Sequence, residues 1–141
     1  MTPPHAAGVV SALKAACPSV LEHEPLSRHT TFHIGGPADY FVEVPDTESL
    51  KVLLKTALAL RLPWITIGAG SNVLFSDAGR RGLVLRLGRG FQDLRVEGET
   101  VVAGAGLRCL ALVRQCAEQG FGGLEFLAGV PGTVGGAIRM N

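Results

Sequence analysis

Charge is scarce in this chain and nearly balanced. Lysine and arginine number 13, aspartate and glutamate 12, and the formal net charge is +1. That balance removes the general electrostatic case for a nucleic-acid partner or an anionic membrane surface. Cysteine is scarce as well: Cys17, Cys109 and Cys116 are an odd set without CxxC spacing, which argues against a disulfide framework. Cys109 and Cys116 are spaced to share one face of a helix and read as small core residues. No apolar run approaches the ~18 residues of a membrane span. Met1–His5 lacks the basic region and long apolar run of a targeting peptide. These absences predict a soluble, cytoplasmic protein without a membrane segment. His5, His23, His29 and His33 lack helical metal-ligand spacing, so no metal site is expected. Nor does the sequence offer a convincing nucleophile, triad or carboxylate pair, and no catalytic residue is assigned.

What the chain has in abundance is glycine, 19 residues of 141, much of it gathered in two loops and in turns. With 47% hydrophobic residues the composition is that of a folded domain. Residues 6–17 read as a short amphipathic helix ended by Pro18, and a turn-rich approach leads from Pro25 to Pro37. Tyr40–Val44 reads as a strand closed by Pro45. Asp46 or Thr47 then caps a helix whose apolar positions Leu50, Leu53, Leu54, Ala57 and Leu58 follow helical spacing. With the strand Trp64–Ile67 this makes a β-α-β unit. A further strand is expected at Gly82–Leu87, after a turn that Asp77 would organise by Asx hydrogen bonds. A hairpin turning on Glu97-Gly98-Glu99 follows, then a helix from Leu107 to Gln119 with Gly120 at its C′ position. The remainder, 121–141, reads as loop with a final helical turn started by Gly132-Thr133. Glu125, between Leu124 and Phe126, is expected to be partly buried and paired.

The two loops are Gly68-Ala69-Gly70-Ser71-Asn72 and Gly129-Val130-Pro131-Gly132-Thr133-Val134-Gly135-Gly136. Glycine leaves backbone N–H groups bare and tolerates positive φ, so such loops let main chain close around an anion. The first is not a Rossmann fingerprint: its third glycine would fall at Val73, and no helix or acidic ribose partner follows. Neither loop has the Gly-Lys-Ser/Thr of a Walker motif. A single loop of this kind reads more readily as a tight turn, and Gly-Gly-Ala after Thr133 also suits close helix packing. Two together favour a clamp on the diphosphate of a dinucleotide. Of the cluster Arg80, Arg81, Arg86 and Arg89, most read as solvated surface, with one or two available to a phosphate.

Three segments carry a specific resemblance. Thr30-Thr31-Phe32-His33-Ile34-Gly35-Gly36-Pro37-Ala38, Gly68-Ala69-Gly70-Ser71-Asn72-Val73-Leu74, and Gly129 to Ala137 with Met140-Asn141 resemble the UDP-N-acetylenolpyruvoylglucosamine reductase (MurB) family in order and spacing. The resemblance covers about residue 20 to the end; His29 stands where an asparagine is more usual.

It implies an α+β fold of the vanillyl-alcohol-oxidase (PCMH) type, with FAD held between two lobes. The organisation it suggests is a helical segment at 1–24, a first lobe at 25–87, and a second, incomplete lobe at 88–141 with the substrate domain absent. The implied activity is NADPH-dependent reduction of UDP-N-acetylglucosamine enolpyruvate to UDP-N-acetylmuramate for peptidoglycan. Gly68, Ala69, Gly70, Ser71 and Asn72 would hold the FAD diphosphate. Pro131, Gly132, Thr133, Gly135, Gly136 and Ala137 would line the cofactor. The family's catalytic arginine, serine and glutamate have no counterpart here, so the 141 residues alone are expected to be inactive. NADPH and the UDP-sugar are implied partners of the full-length protein, and open strand edges are expected to favour self-association. Two alternatives stay open: another oxidase or dehydrogenase of the same flavoprotein superfamily, and a non-catalytic module whose glycine loops are only turns.

Overall fold

The computed structural model describes residues 6–140. Helix α1 (Ala6–Ala16) leads into strand β1 (Leu21–Pro25), a short 3-10 turn over Leu26–His29, and strand β2 (Pro37–Val44). Helix α2 (Thr47–Ala59), strand β3 (Trp64–Ile67) and strand β4 (Arg80–Leu87) complete a four-stranded sheet in the order β1-β2-β4-β3. A separate hairpin of β5 (Leu94–Glu97) and β6 (Thr100–Ala103) precedes helix α3 (Cys109–Glu118), a 3-10 turn at Glu125–Leu127, and helix α4 (Val134–Met140).

The β-α-β expectation needs one correction. β2 and β3 do not pair with each other; β4 enters between them and pairs parallel with both. The unit is split, and β4 is flanked on both sides, with Leu83, Val84 and Leu85 buried. The strand β1 was not anticipated, because Leu-Glu-His-Glu-Pro is largely exposed and carries no apolar alternation. It adds antiparallel to β2, Leu21 opposite Phe41.

Period-two alternation divides the core. Val42, Val44, Leu83 and Leu85 face α1 and α2, where Val9, Leu13, Cys17, Leu53 and Ala57 close the helical side. Phe41 and Val84 point the other way and pack with Leu26, Ile67 and Phe75, beneath the first glycine loop. Leu107, Leu112 and Cys116 form a smaller core under the hairpin, joined by Leu94, Val101 and Ala103. Cys109 and Cys116 are fully buried.

The helix ends follow their sequence signals. Asp46 caps α2 by accepting the Ser49 N–H at 2.8 Å. That bond, with the Ser49 side chain, holds its carboxyl below the usual aspartate value. α3 ends in a Schellman motif: Phe121 N–H donates to Cys116 O, Gly120 N–H donates to Ala117 O, and Gly120 takes φ 81°. α2 ends with the same bond pattern, but its left-handed residue is Arg61, at φ 51°.

Two local expectations are overturned. The turn at 76–79 is organised by Ser76, whose Oγ accepts the Ala78 N–H at 3.2 Å, and not by Asp77. Glu125 is exposed and, among the described residues, paired with no cation; it accepts the Gly123 N–H at 3.0 Å. Its own backbone N–H and that of Gly123 hold its carboxyl low. Among the described residues no helix is long and apolar enough to cross a membrane.

Candidate functional site

The first glycine loop leaves the carboxyl end of β3. At its centre Gly70 takes φ 71°, and a Cβ there would overlap the carbonyl oxygen of His29. Its carbonyl in turn accepts the Thr31 N–H at 3.0 Å. The glycine is therefore demanded by main chain packed beneath the loop, rather than by a ligand above it. The consequence on the other side is what a ligand would use. Among the described residues, no acceptor faces the backbone N–H groups of Ala69, Gly70, Ser71 and Asn72. Four successive unengaged donors around a left-handed residue are of the kind that suits an anion.

The structure brings the second loop against the first. Ser71 Oγ donates to Pro131 O at 2.6 Å, and a Cβ on Gly68 would lie 2.6 Å from Thr133 Oγ1. Gly132 and Thr133 also have backbone N–H groups without an acceptor among the described residues. The start of α4 is different. Val134 N–H donates to Leu107 O (2.8 Å), Gly135 N–H to Ala105 O (2.9 Å), and Gly136 N–H to Thr133 Oγ1 (3.3 Å). Free N–H groups at this helix terminus, expected from the sequence, are thus already spent inside the chain. Gly135 instead permits close packing, since a Cβ there would sit 3.0 Å from Ala105 Cβ. Gly136 and Ala137 offer a small, half-exposed surface.

Beneath Gly70 lies a cluster that sequence reasoning did not find. His29 Nε2 is 3.0 Å from Glu24 Oε1, its Nδ1 is 3.2 Å from an Arg86 Nη, and its ring stacks on Phe41 at 3.9 Å. Arg86 also donates through Nε to Glu43 at 3.0 Å. Arg86 is therefore engaged by protein groups. Arg81 pairs with Asp39 at 3.1 Å, while Arg80 and Arg89 are exposed. Only the unusual His29 hinted at this cluster in sequence; its partners lie on three different strands. No set of His, Cys, Asp and Glu able to hold a metal occurs among the described residues, and His5 lies outside them.

Residues 38–141 match the family described as the FAD binding domain. The chain belongs to that FAD-binding family. FAD is accordingly its cofactor, and the row of free N–H groups beside two glycine loops suits a diphosphate. Relatives of this FAD-binding chain are named UDP-N-acetylenolpyruvoylglucosamine reductase. One, from Bacillus licheniformis, is 46% identical over 122 residues, 86% of this chain and 40% of the relative. Another, reductase 2 of Symbiobacterium thermophilum, is 50% identical over 118 residues, 84% of this chain and 38% of its own length. The chain thus spans about two fifths of the curated relatives it matches. The crystal structure of MurB from Thermus caldophilus aligns with a TM-score of 0.71 at 38% identity, covering 85% of this chain and 41% of that one. 4-Ethylphenol oxidase from Gulosibacter chungangensis aligns at 0.63 and 16% identity, over 81% of this chain and 24% of that one, a likeness of fold. The expected α+β, PCMH-type architecture is the one observed.

Proposed function

We propose that this chain is the FAD-holding portion of an NADPH-dependent reductase that converts UDP-N-acetylglucosamine enolpyruvate to UDP-N-acetylmuramate for peptidoglycan. The observation that carries the reading is the run of unengaged N–H donors from Ala69 to Asn72, set beside those of Gly132 and Thr133. In this reading Gly68, Ala69, Gly70, Ser71 and Asn72 grip the diphosphate from a first lobe, 25–87, which follows the segment 1–24 and against which its helix α1 packs through Val9 and Leu13. Pro131, Gly132 and Thr133 meet it from the second lobe, 88–141. Gly135, Gly136 and Ala137 contribute close approach and a small surface, their helix-terminal donors being partly used elsewhere. The Ser71–Pro131 bond fixes the two loops in register, so the cofactor lies along their common edge.

Bound FAD supplies two-electron hydride chemistry; the chain's own part is binding, orientation and exclusion of water. No proton donor is assigned to these residues, and the UDP-sugar and NADPH are partners of the whole enzyme. We place the protein in the cytoplasm. Exposed Leu74, Phe126, Ile138 and Met140, with a hairpin whose outer edges are unpaired among the described residues, support self-association of the isolated chain.

The test is a titration of the purified 141-residue chain with FAD, followed by flavin fluorescence and visible absorption. Saturable binding is expected. Asn72→Ala should weaken it by about 1–3 kcal/mol if its carboxamide meets a charged diphosphate, and Ser71→Ala should weaken it by removing the bond that ties the two loops together. A wild-type chain that takes up no FAD, or one that oxidises NADPH in response to the enolpyruvyl substrate, contradicts the proposal.

A further inference from the structure

The side chain of His29 is held at three points and is only 11% exposed. Arginine has no acceptor, so the nitrogen facing Arg86, Nδ1, accepts; Nε2 then carries the proton and donates to Glu24. The ring is thereby fixed as one neutral tautomer. The charged groups facing it from each packed element are Glu24 on β1, Arg28 on the turn after β1 (3.6 Å from Glu24), Glu43 on β2 and Arg86 on β4. A second proton, on Nδ1, sets an N–H against a guanidinium N–H at 3.2 Å, two donors and two cations with no acceptor between them.

The ring cannot slide freely to relieve this contact. Phe41 stacks on one face with an interplanar angle of 18°, and Arg86 is itself placed over Phe41 at 5.6 Å and tied to Glu43. Strain passes most directly to the main chain of residues 29–31. There the His29 carbonyl lies where a Cβ on Gly70 would overlap it, and Thr31 N–H donates to Gly70 O. Those are the contacts that shape the row of free N–H groups.

We propose that His29 is a proton-sensitive positioning residue for the first glycine loop. Its neutral ring locks the main chain under Gly70, and protonation loosens the loop's grip on an anionic diphosphate. This rests on the reading of Gly68–Asn72 as the diphosphate cradle.

The experiment has two independent arms, both on the 141-residue chain. In the first, NMR follows the imidazole nitrogens of His29 and the backbone amides of Gly70 and Ser71 from about pH 8 to 5. The amides should titrate in step with the ring without any cofactor, and the neutral ring should show the Nε2–H tautomer. In the second, FAD affinity should fall by about fivefold or more over that range, the lower end of ordinary site–site coupling. For His29→Gln it should change by less than about twofold, the fold-change left when the coupled group is gone. Amides that ignore the ring, a ring that does not titrate, or a variant with the wild-type pH dependence would each overturn the inference. If His29→Gln does not fold, the wild-type NMR arm decides alone. If FAD binds at no pH, the proposed function fails while the amide titration still decides the coupling.

Discussion

Gly70 shows how one residue can be fixed from two sides. Its φ of 71° is costly for an L residue, and a Cβ would overlap the His29 carbonyl. Gly70→Ala should therefore destabilise the chain by more than the ~1–2 kcal/mol of left-handed strain alone. Gly120 takes a similar φ of 81° but has open space around it. Gly120→Ala should lose only that strain, about 1–2 kcal/mol. Denaturant midpoints for the two variants check the difference; equal losses would mean the His29 contact is unimportant. Much at this scale was legible beforehand. The Gly-Ala-Gly-Ser-Asn run announces a tight main-chain loop, because glycine and short polar residues have few other uses in such density. What the loop packs on was not legible, since His29 is 41 positions away from Gly70 and its ring partners are scattered over β1, β2 and β4.

At the scale of elements, capping chemistry was readable and pairing was not. Asp46 and Gly120 sit where short-range rules put a cap and a C′ residue, and β3 runs over Trp64–Ile67 as the apolar run between Pro63 and Gly68 requires. The insertion of β4 between β2 and β3 is a long-range choice that no local pattern encodes. α1 was visible because Val9, Leu13 and Cys17 recur on one face, whereas β1 had no apolar period to betray it. The two helix ends yield a paired prediction. α2 closes with Arg61 in the left-handed conformation that α3 gives to glycine. Arg61→Gly should raise stability by up to about 1 kcal/mol, seen as a higher midpoint of thermal unfolding. An unchanged or lower midpoint would show that the arginine side chain makes up the backbone strain.

For the whole molecule, the pH profile of stability follows from three groups. Asp46 and Glu125 are held below their ordinary values of 3.8 and 4.5 by backbone hydrogen bonds. Their contribution is present above those values and is lost as pH falls through the lower, folded-state ones. Tyr40 moves the other way, raised above 10.0 first by burial and then by the charges of Asp39 and Glu22. Its contribution is intact below 10.0 and disappears as pH climbs through the raised value. These groups should thus make the stability of the chain decline at both extremes of pH. Urea midpoints across pH would show it, and Asp46→Asn should flatten the acid limb. A limb unaltered by that change would deny Asp46 its part.

The split arrangement of the sheet also has a consequence in time. Chains are made from the amino end, and β3 with its exposed Trp64 emerges before the strand it must pair with. Until residues 80–87 have left the ribosome, the strand that leads into the first glycine loop has no neighbour. The glycine loop that follows it can take shape only after β4 has threaded between its two predecessors. That makes late, non-local closure the expected slow event in folding.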